Sequence, residues 1–344
     1  MMLSKVRVGV IGYGYWGPNL VRNFLELDDT EVVAVCDRRI ERREHLERLA
    51  PKLQVISDWR RLVSDPGIDA VVIATQVSTH YGIAREALDC GKHILVEKPL
   101  VPSADQARDL LERADRRGCV LMAGHTFLYH GGIRKVRELI QAGELGDLLY
   151  LDSVRANLGI LQDDVNVVWD LAPHDVSIMD FLVGDTPVSV SATGMCHTGR
   201  KLEDIAFLTF RFAGDFIAHL NVNWLSPVKI RSLMIGGRRK MVVFDDTEPS
   251  EKVKVFDRGL EREDSPDKRH NDLLLCRAGD IYVPQLDLTE ALQLEARDFV
   301  ECIRCSRRPQ ADGLSALRIV RLLELACKSL AQGGAPIDIP GEFP

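Results

Sequence analysis

Six residues, Gly12-Tyr13-Gly14-Tyr15-Trp16-Gly17, follow directly on a short apolar run, Val6–Ile11, and open an amphipathic stretch from Trp16 to Leu27. Alone, a G-x-G-x-x-G pattern constrains little. Between a strand and a helix it constrains a great deal, because each glycine then has its own task. Gly12 permits the tight turn, Gly14 lets backbone approach a pyrophosphate, and Gly17 lets the helix lie close on the strand with its N-terminus facing the phosphates. Tyr13, Tyr15 and Trp16 share that turn. Asp37 stands 20 residues beyond Gly17, at the end of a second apolar run, Glu31–Cys36. A carboxylate there accepts both hydroxyls of a ribose, so the segment predicts a bound dinucleotide. Asp37 repels a 2′-phosphate and favours NAD; Arg38 and Arg39, next in the chain, keep NADP open as a second reading.

The pattern then continues in the same manner. Charged helical sequence runs to Ala50, and a brief strand is expected at Gln54–Ile56. Further strands are expected at Ala70–Thr75, His93–Glu97 and Val120–Ala123, with helices at His80–Asp89 and Ala104–Arg117, the latter stopped by Gly118. Short apolar strands alternating with helices describe a parallel sheet covered on both faces. Residues 1–124 therefore read as an α/β, doubly wound domain of the Rossmann type.

From Leu148 the period changes. Phe216, Ala218, Leu220, Val222 and Trp224 fall on one face of a strand, and Ile217, His219, Asn221 and Asn223 on the other. Similar segments at Leu148–Asn157, Val188–His197, Ile205–Phe212, Lys229–Ile235, Lys240–Asp245 and Lys252–Phe256 predict one large, open, mostly antiparallel sheet, in an α+β domain over 125–344. Helices near Arg134–Gln141 and Leu171–Val183 would cover one face. The other is expected to serve self-association as a homodimer or homotetramer. Gly259–Leu288 is polar and irregular and reads as a long loop; Thr289–Arg304 and Leu314–Leu330 read as two closing helices.

At 344 residues the chain is long enough for two such domains, and 46% hydrophobic with 28% charged residues is the balance of an ordinary soluble protein. The net charge of −7 argues against nucleic acid or an anionic membrane as partner. No apolar stretch approaches the ~20 residues that span a bilayer, and Met1–Lys5 lacks the apolar core of a signal peptide, so the cytoplasm is the expected location. Among the eight cysteines, Cys302 and Cys305 have CxxC spacing. They lie in a helical pattern with no second pair and no histidine cluster, which reads as two buried thiols and no metal site.

Two segments carry chemistry. Glu97-Lys98-Pro99 ends the fifth strand, at the edge where a doubly wound sheet binds its ligand. Lys98 there reaches the nicotinamide end of a cofactor and polarises a hydroxyl, and Pro99, which could be cis, fixes the chain as it leaves. In Trp169-Asp170-Leu171-Ala172-Pro173-His174-Asp175, Pro173 belongs to a first helical turn, which sets Asp170 at or near the N-cap. Asp170 and His174, four apart, share one helix face. A histidine there reads either as a core residue or as a general base.

The glycine fingerprint, Glu97-Lys98-Pro99 and Asp170-x-x-x-His174 together resemble the glucose–fructose oxidoreductase/inositol dehydrogenase (Gfo/Idh/MocA) family over nearly the whole chain. Gly124-His125-Thr126, Gly143-Glu144-Leu145-Gly146, Arg155–Gly159 and Trp169–Asp175 look most like its UDP-N-acetylglucosamine 3-dehydrogenase branch. The resemblance implies an NAD-dependent enzyme that oxidises a sugar hydroxyl, C3 of a UDP-N-acetylhexosamine, to a ketone. It implies that Lys98 holds and polarises the hydroxyl, Asp170 orients, and His174 takes the proton. It also implies that Thr75, His80, Glu97 and His125 line the cofactor. Arg155 and Asn157, on one strand face, would meet the substrate, Arg155 as an anchor for the diphosphate. Some members use a tyrosine as acid, for which Tyr129 is a candidate. The shared motifs equally suit a free sugar or an inositol. A non-catalytic NAD-binding sensor is the alternative from another class.

Overall fold

The computed structural model describes residues 5–159, 165–199, 201–262 and 274–341. The first strands and helices are β1 (Val6–Ile11), α1 (Gly17–Leu25), β2 (Thr30–Cys36), α2 (Ile40–Leu49), β3 (Gln54–Ile56), α3 (Trp59–Val63), β4 (Ala70–Ile73), α4 (Val77–Asp89), β5 (His93–Glu97), α5 (Ala104–Arg117) and β6 (Leu121–Gly124). Six parallel strands pair in the order β3-β2-β1-β4-β5-β6, so the order reverses beside β1 and the ligand edge lies at the C-terminal ends of β1 and β4. The sheet is buried on both faces, as its unbroken apolar strands require: Ala70, Val71, Val72 and Ile73 of β4 are all fully buried. Gly118 closes α5 in the left-handed conformation, φ 63°, where its lack of a Cβ removes the strain.

The later elements are α6 (Gly131–Gln141), β7 (Leu148–Leu158), α7 (Val167–Val183), β8 (Ser189–Met195), β9 (Ile205–Arg211), β10 (Ile217–Asn223), β11 (Leu225–Gly237), β12 (Met241–Asp245), β13 (Val253–Phe256), β14 (Gly259–Arg262), β15 (Leu274–Arg277), β16 (Ile281–Tyr282), α8 (Ala291–Cys305), α9 (Gly313–Ala331) and β17 (Ile337–Asp338). Nine strands form one sheet, β16-β13-β12-β11-β7-β10-β9-β8-β17, antiparallel except where β10 runs parallel to β7. Ala218, Leu220, Val222 and Trp224 are buried, as the alternation predicts. α7 packs on β7, β9 and β10, and α6 packs on α7 and β12.

Three features depart from expectation. The chain forms two compact units, and the first takes in 289–321 as well as 1–129; the second is 130–288 with 322 onward. The first unit is thus larger than residues 1–124, because α8 returns to it and sets Phe299 edge-on against Phe24 of α1, ring centroids 6.4 Å apart. Periodicity showed α8 to be amphipathic without showing where its apolar stripe docks. Next, the stretch Gly259–Leu288 is not all loop: β14 pairs with β15 and β16 joins β13, while 263–273 lie outside the described residues. Finally, α7 begins four residues before the expected Leu171. Asn166 is the N-cap, its side chain accepting the Trp169 N–H at 3.2 Å, which leaves Pro173 inside the helix and Asp170 within its first turn. Of the CxxC pair, Cys302 is buried and Cys305 exposed.

If α8 is part of the first unit's core, removing the fully buried Phe299 ring with Phe299→Ala lowers stability by about 3–5 kcal/mol, measured as a fall in the urea midpoint. An unchanged midpoint would contradict that packing.

Candidate active site

The glycine turn is built by close contact. Gly12 has φ +100°, and a Cβ on it would lie 2.4 Å from the Ala74 carbonyl oxygen; a Cβ on Gly17 would lie 2.3 Å from the Gly12 carbonyl oxygen. Neither position tolerates a side chain, and α1 therefore starts directly against β1. No side chain caps α1 and no acid stands in its first turn, so its leading amides face an incoming anion without competition. Asp37, buried at the end of β2, accepts the Tyr13 N–H at 2.8 Å, the Arg39 N–H at 2.8 Å and Arg42 Nη1 at 3.3 Å. Burial alone would raise its carboxyl; the two amides and the Arg42 guanidinium outweigh burial and hold it below the usual range. Tyr15 and Trp16 are exposed, Tyr13 is buried, and the side chains of Arg38 and Arg39 are exposed. Arg42 is the basic partner that the sequence reading missed. An anion-ready helix start, glycines that a Cβ would block and a carboxylate at the end of β2 fit a dinucleotide.

Beyond this turn, the ends of β4, β5 and β6 carry the remaining first-unit residues. Glu97 ends β5 and pairs in register with Gly124 of β6, where a Cβ would lie 3.3 Å from the Glu97 carboxyl. Glu97 is buried, and its Oε2 accepts the Lys98 backbone N–H at 3.2 Å. Burial pushes the Glu97 carboxyl up to about 7, against the charge and amide of Lys98. The Lys98–Pro99 peptide is cis. His125, 1% exposed, has no hydrogen-bond partner on either ring nitrogen among the described residues, and burial together with the Lys98 charge pulls it down to about 3, so its ring is neutral. Thr75 Oγ1 accepts from Thr79 Oγ1 at 2.8 Å. His80 is fully buried. Its Nδ1 lies 3.1 Å and 3.2 Å from the carbonyl oxygens of Pro99 and Leu100, and its Nε2 lies 3.1 Å from that of Thr75. Desolvation lowers its pKa, although all three carbonyls favour the protonated ring. His80 thus holds backbone in place and does not itself face solvent. Tyr129, the candidate acid, is buried and donates its hydroxyl proton to Asp298 at 2.6 Å; burial and the Asp298 charge raise its pKa, which suits a structural tie and not an acid.

In the second unit, Asp170 and His174 lie one turn apart on α7. Trp224, at the end of β10 and 2% exposed, donates its indole N–H to Asp170 Oδ2 at 3.0 Å, and that partner was not read from sequence. Arg155 does not stand ready for a diphosphate. Its Nε donates to Asp175 Oδ2 at 2.6 Å and its Nη2 to Asp175 Oδ1 at 3.2 Å, with Ser153 Oγ donating to the same carboxylate at 2.7 Å. Both members of the pair are buried, so the guanidinium fork is turned into α7. Asn157, two residues on, is half-buried, with its amide beside Gly159.

Comparison with known proteins agrees with this geometry. Residues 6–125 match the model of the GFO/IDH/MocA oxidoreductase family with an NAD-binding Rossmann fold, and residues 133–243 match the GFO/IDH/MocA C-terminal domain. The chain belongs to this family. It is an NAD-dependent oxidoreductase. It is 27% identical to the UDP-N-acetylglucosamine 3-dehydrogenase of Acidithiobacillus ferrooxidans over 92% of this chain and 95% of that one. A crystal structure of that enzyme superposes with a TM-score of 0.81, covering 96% of this chain and 99% of the other at 24% identity. It is 25% identical to the NAD-dependent scyllo-inositol 2-dehydrogenase of Bacillus subtilis over 98% and 97% of the two chains. Against an uncharacterized oxidoreductase of Streptococcus pneumoniae the match, 28% identical, spans 62% of each. No helix among the described residues is long and apolar enough to cross a membrane.

The raised Glu97 carboxyl has a thermodynamic signature. Between its ordinary 4.5 and about 7 the folded protein keeps a proton that the unfolded chain has released. Its contribution to stability therefore falls as pH rises through that window and is level above it. Glu97→Gln removes this dependence, so the variant gains on the wild type between those pH values by up to roughly 3 kcal/mol, read from melting curves. A difference that is flat with pH would mean that Glu97 is not raised.

Proposed function

We propose that this enzyme oxidises a secondary hydroxyl of a sugar to a ketone, and that the sugar is nucleotide-linked, with C3 of a UDP-N-acetylhexosamine as the reacting carbon. The observation that carries the reading is Lys98, set beside a buried carboxyl at the ligand edge of a sheet whose glycine turn fits NAD. Similarity to the Acidithiobacillus enzyme over nearly both full chains supports the choice of sugar.

Gly12, Gly14, Gly17 and the start of α1 hold the pyrophosphate, Asp37 the adenosine ribose, and Tyr13, Tyr15, Trp16, Arg38, Thr75, Glu97 and His125 border the rest. Bound NAD supplies the hydride acceptor. Lys98 donates an N–H to the substrate oxygen and withdraws charge from it as the C–H bond breaks. His174 accepts the hydroxyl proton and passes it to solvent, and Asp170, fixed by the Trp224 indole, orients substrate and base. Asn157 meets the substrate. The Arg155–Asp175 pair stiffens the helix that carries His174, a role that replaces the expected diphosphate anchor. Exposed Phe207, Ile217 and Met234, on strands of the nine-stranded sheet, support assembly as a homodimer or homotetramer through its open face.

A free polyol is the second reading, favoured by the inositol dehydrogenase relative. NADH formation with UDP-N-acetylglucosamine, with UDP-N-acetylgalactosamine and with inositols separates the two: turnover of inositol alone would overturn the nucleotide-sugar reading. His174→Ala should leave NAD affinity intact and lower turnover at least ~10²-fold. If turnover survives, another group is the base. If the wild type binds NAD yet oxidises nothing in a broad sugar panel, a sensor is the better description.

A further inference from the structure

α8 buries Leu292, Ala296, Phe299 and Val300 on one stripe, and Glu295 falls within that stripe. It is 1% exposed. An ionised carboxylate in such a place needs a cation or several N–H donors. Glu295 has neither: its Oε2 accepts the Thr126 hydroxyl at 3.0 Å, and its Oε1 has no hydrogen-bond partner among the described residues.

The surrounding charges make matters worse for an anion. Glu97 of β5 and Asp298 of α8 itself both oppose ionisation of Glu295, and with its burial they raise its pKa well above the ordinary range. His125, directly after β6, is neutral. In the turn Thr126–Tyr129 that packs on α8, Tyr129 donates to Asp298, which also takes Arg307 at 2.6 Å and the Gln310 N–H at 3.0 Å. From α1, Arg22 is paired with Glu290 at 2.7 Å. Lys98 is the cation in this cluster, and its charge acts on Glu97. Two buried carboxyls that feel each other, with one cation acting on Glu97, hold one proton between them.

We propose that Glu295 is kept as a neutral carboxylic acid and acts as a positioning residue for Lys98, because it leaves the negative charge of the Glu97–Glu295 pair on Glu97, the member beside Lys98. The role of Lys98 in this statement rests on the proposed function; the protonation of Glu295 does not. Ionised Glu97 then holds the Lys98 ammonium at the strand end, and protonation of Glu97 releases it.

The test uses the full chain, with Glu295→Gln as the neutral isostere. At about pH 8, well above an ordinary glutamate, the infrared spectrum of the wild type minus that of Glu295→Gln should show the carbonyl stretch of one protonated carboxylic acid. No such band would overturn the proposal whether or not any sugar is oxidised, so its failure is separable from that of the functional reading. The acid limb of kcat/KM should stay within about half a unit in Glu295→Gln. A fall of about one unit or more would mean that an anion had been removed, and would overturn the proposal.

Discussion

The approach of α1 to β1 governs much else in the first unit. Because neither Gly12 nor Gly17 carries a Cβ, the helix starts within van der Waals contact of the strand end, and the Tyr13 amide comes within reach of Asp37 on the neighbouring strand. That single bond fixes the carboxylate relative to the helix N-terminus. A negative charge for sugar hydroxyls and a positive helix end for phosphate thus stand side by side without repelling the same ligand. Larger residues at either glycine would push the helix outward and break the pairing of the two sites at once.

The C-terminal edge of this sheet spends its burial on polar groups. Glu97, His125 and Glu295 are each less than a tenth exposed, and none forms an ordinary ion pair with a carboxylate or guanidinium among the described residues. Desolvation moves all of them toward neutrality, the acids upward and the base downward. An edge of neutral but ionisable groups beside Lys98 is poorly suited to holding the fold together. It is well suited to a reaction in which a proton and a hydride part company.

Much of this was legible in the sequence because it rests on local rules. β1, β3, β5 and α5 have the bounds that apolar runs and Gly118 imply, and the glycine fingerprint identified the cofactor. What escaped was set by tertiary partners. The cap of α7 is the local exception: Pro173 pointed to Asp170, while Asn166 takes the Trp169 N–H three residues on. The resemblance made Arg155 an anion anchor, whereas here Asp175 of α7 takes its guanidinium. Periodicity gave a closing helix over Thr289–Arg304 without showing that it docks in the first unit with the Glu295 carboxyl facing inward. Trp224 looked like one more buried aromatic, and only its indole N–H, aimed at Asp170, sets it apart.

His80 gives the same edge a mechanical character. One imidazole touches the carbonyl that follows β4 and the two that follow Lys98, so the loop bordering the cofactor turn and the loop bearing Lys98 are cross-braced through a five-membered ring. Neither loop shifts without straining the other. Under the proposed function, the seat of the dinucleotide and the height of Lys98 are therefore gauged together by a side chain that touches neither.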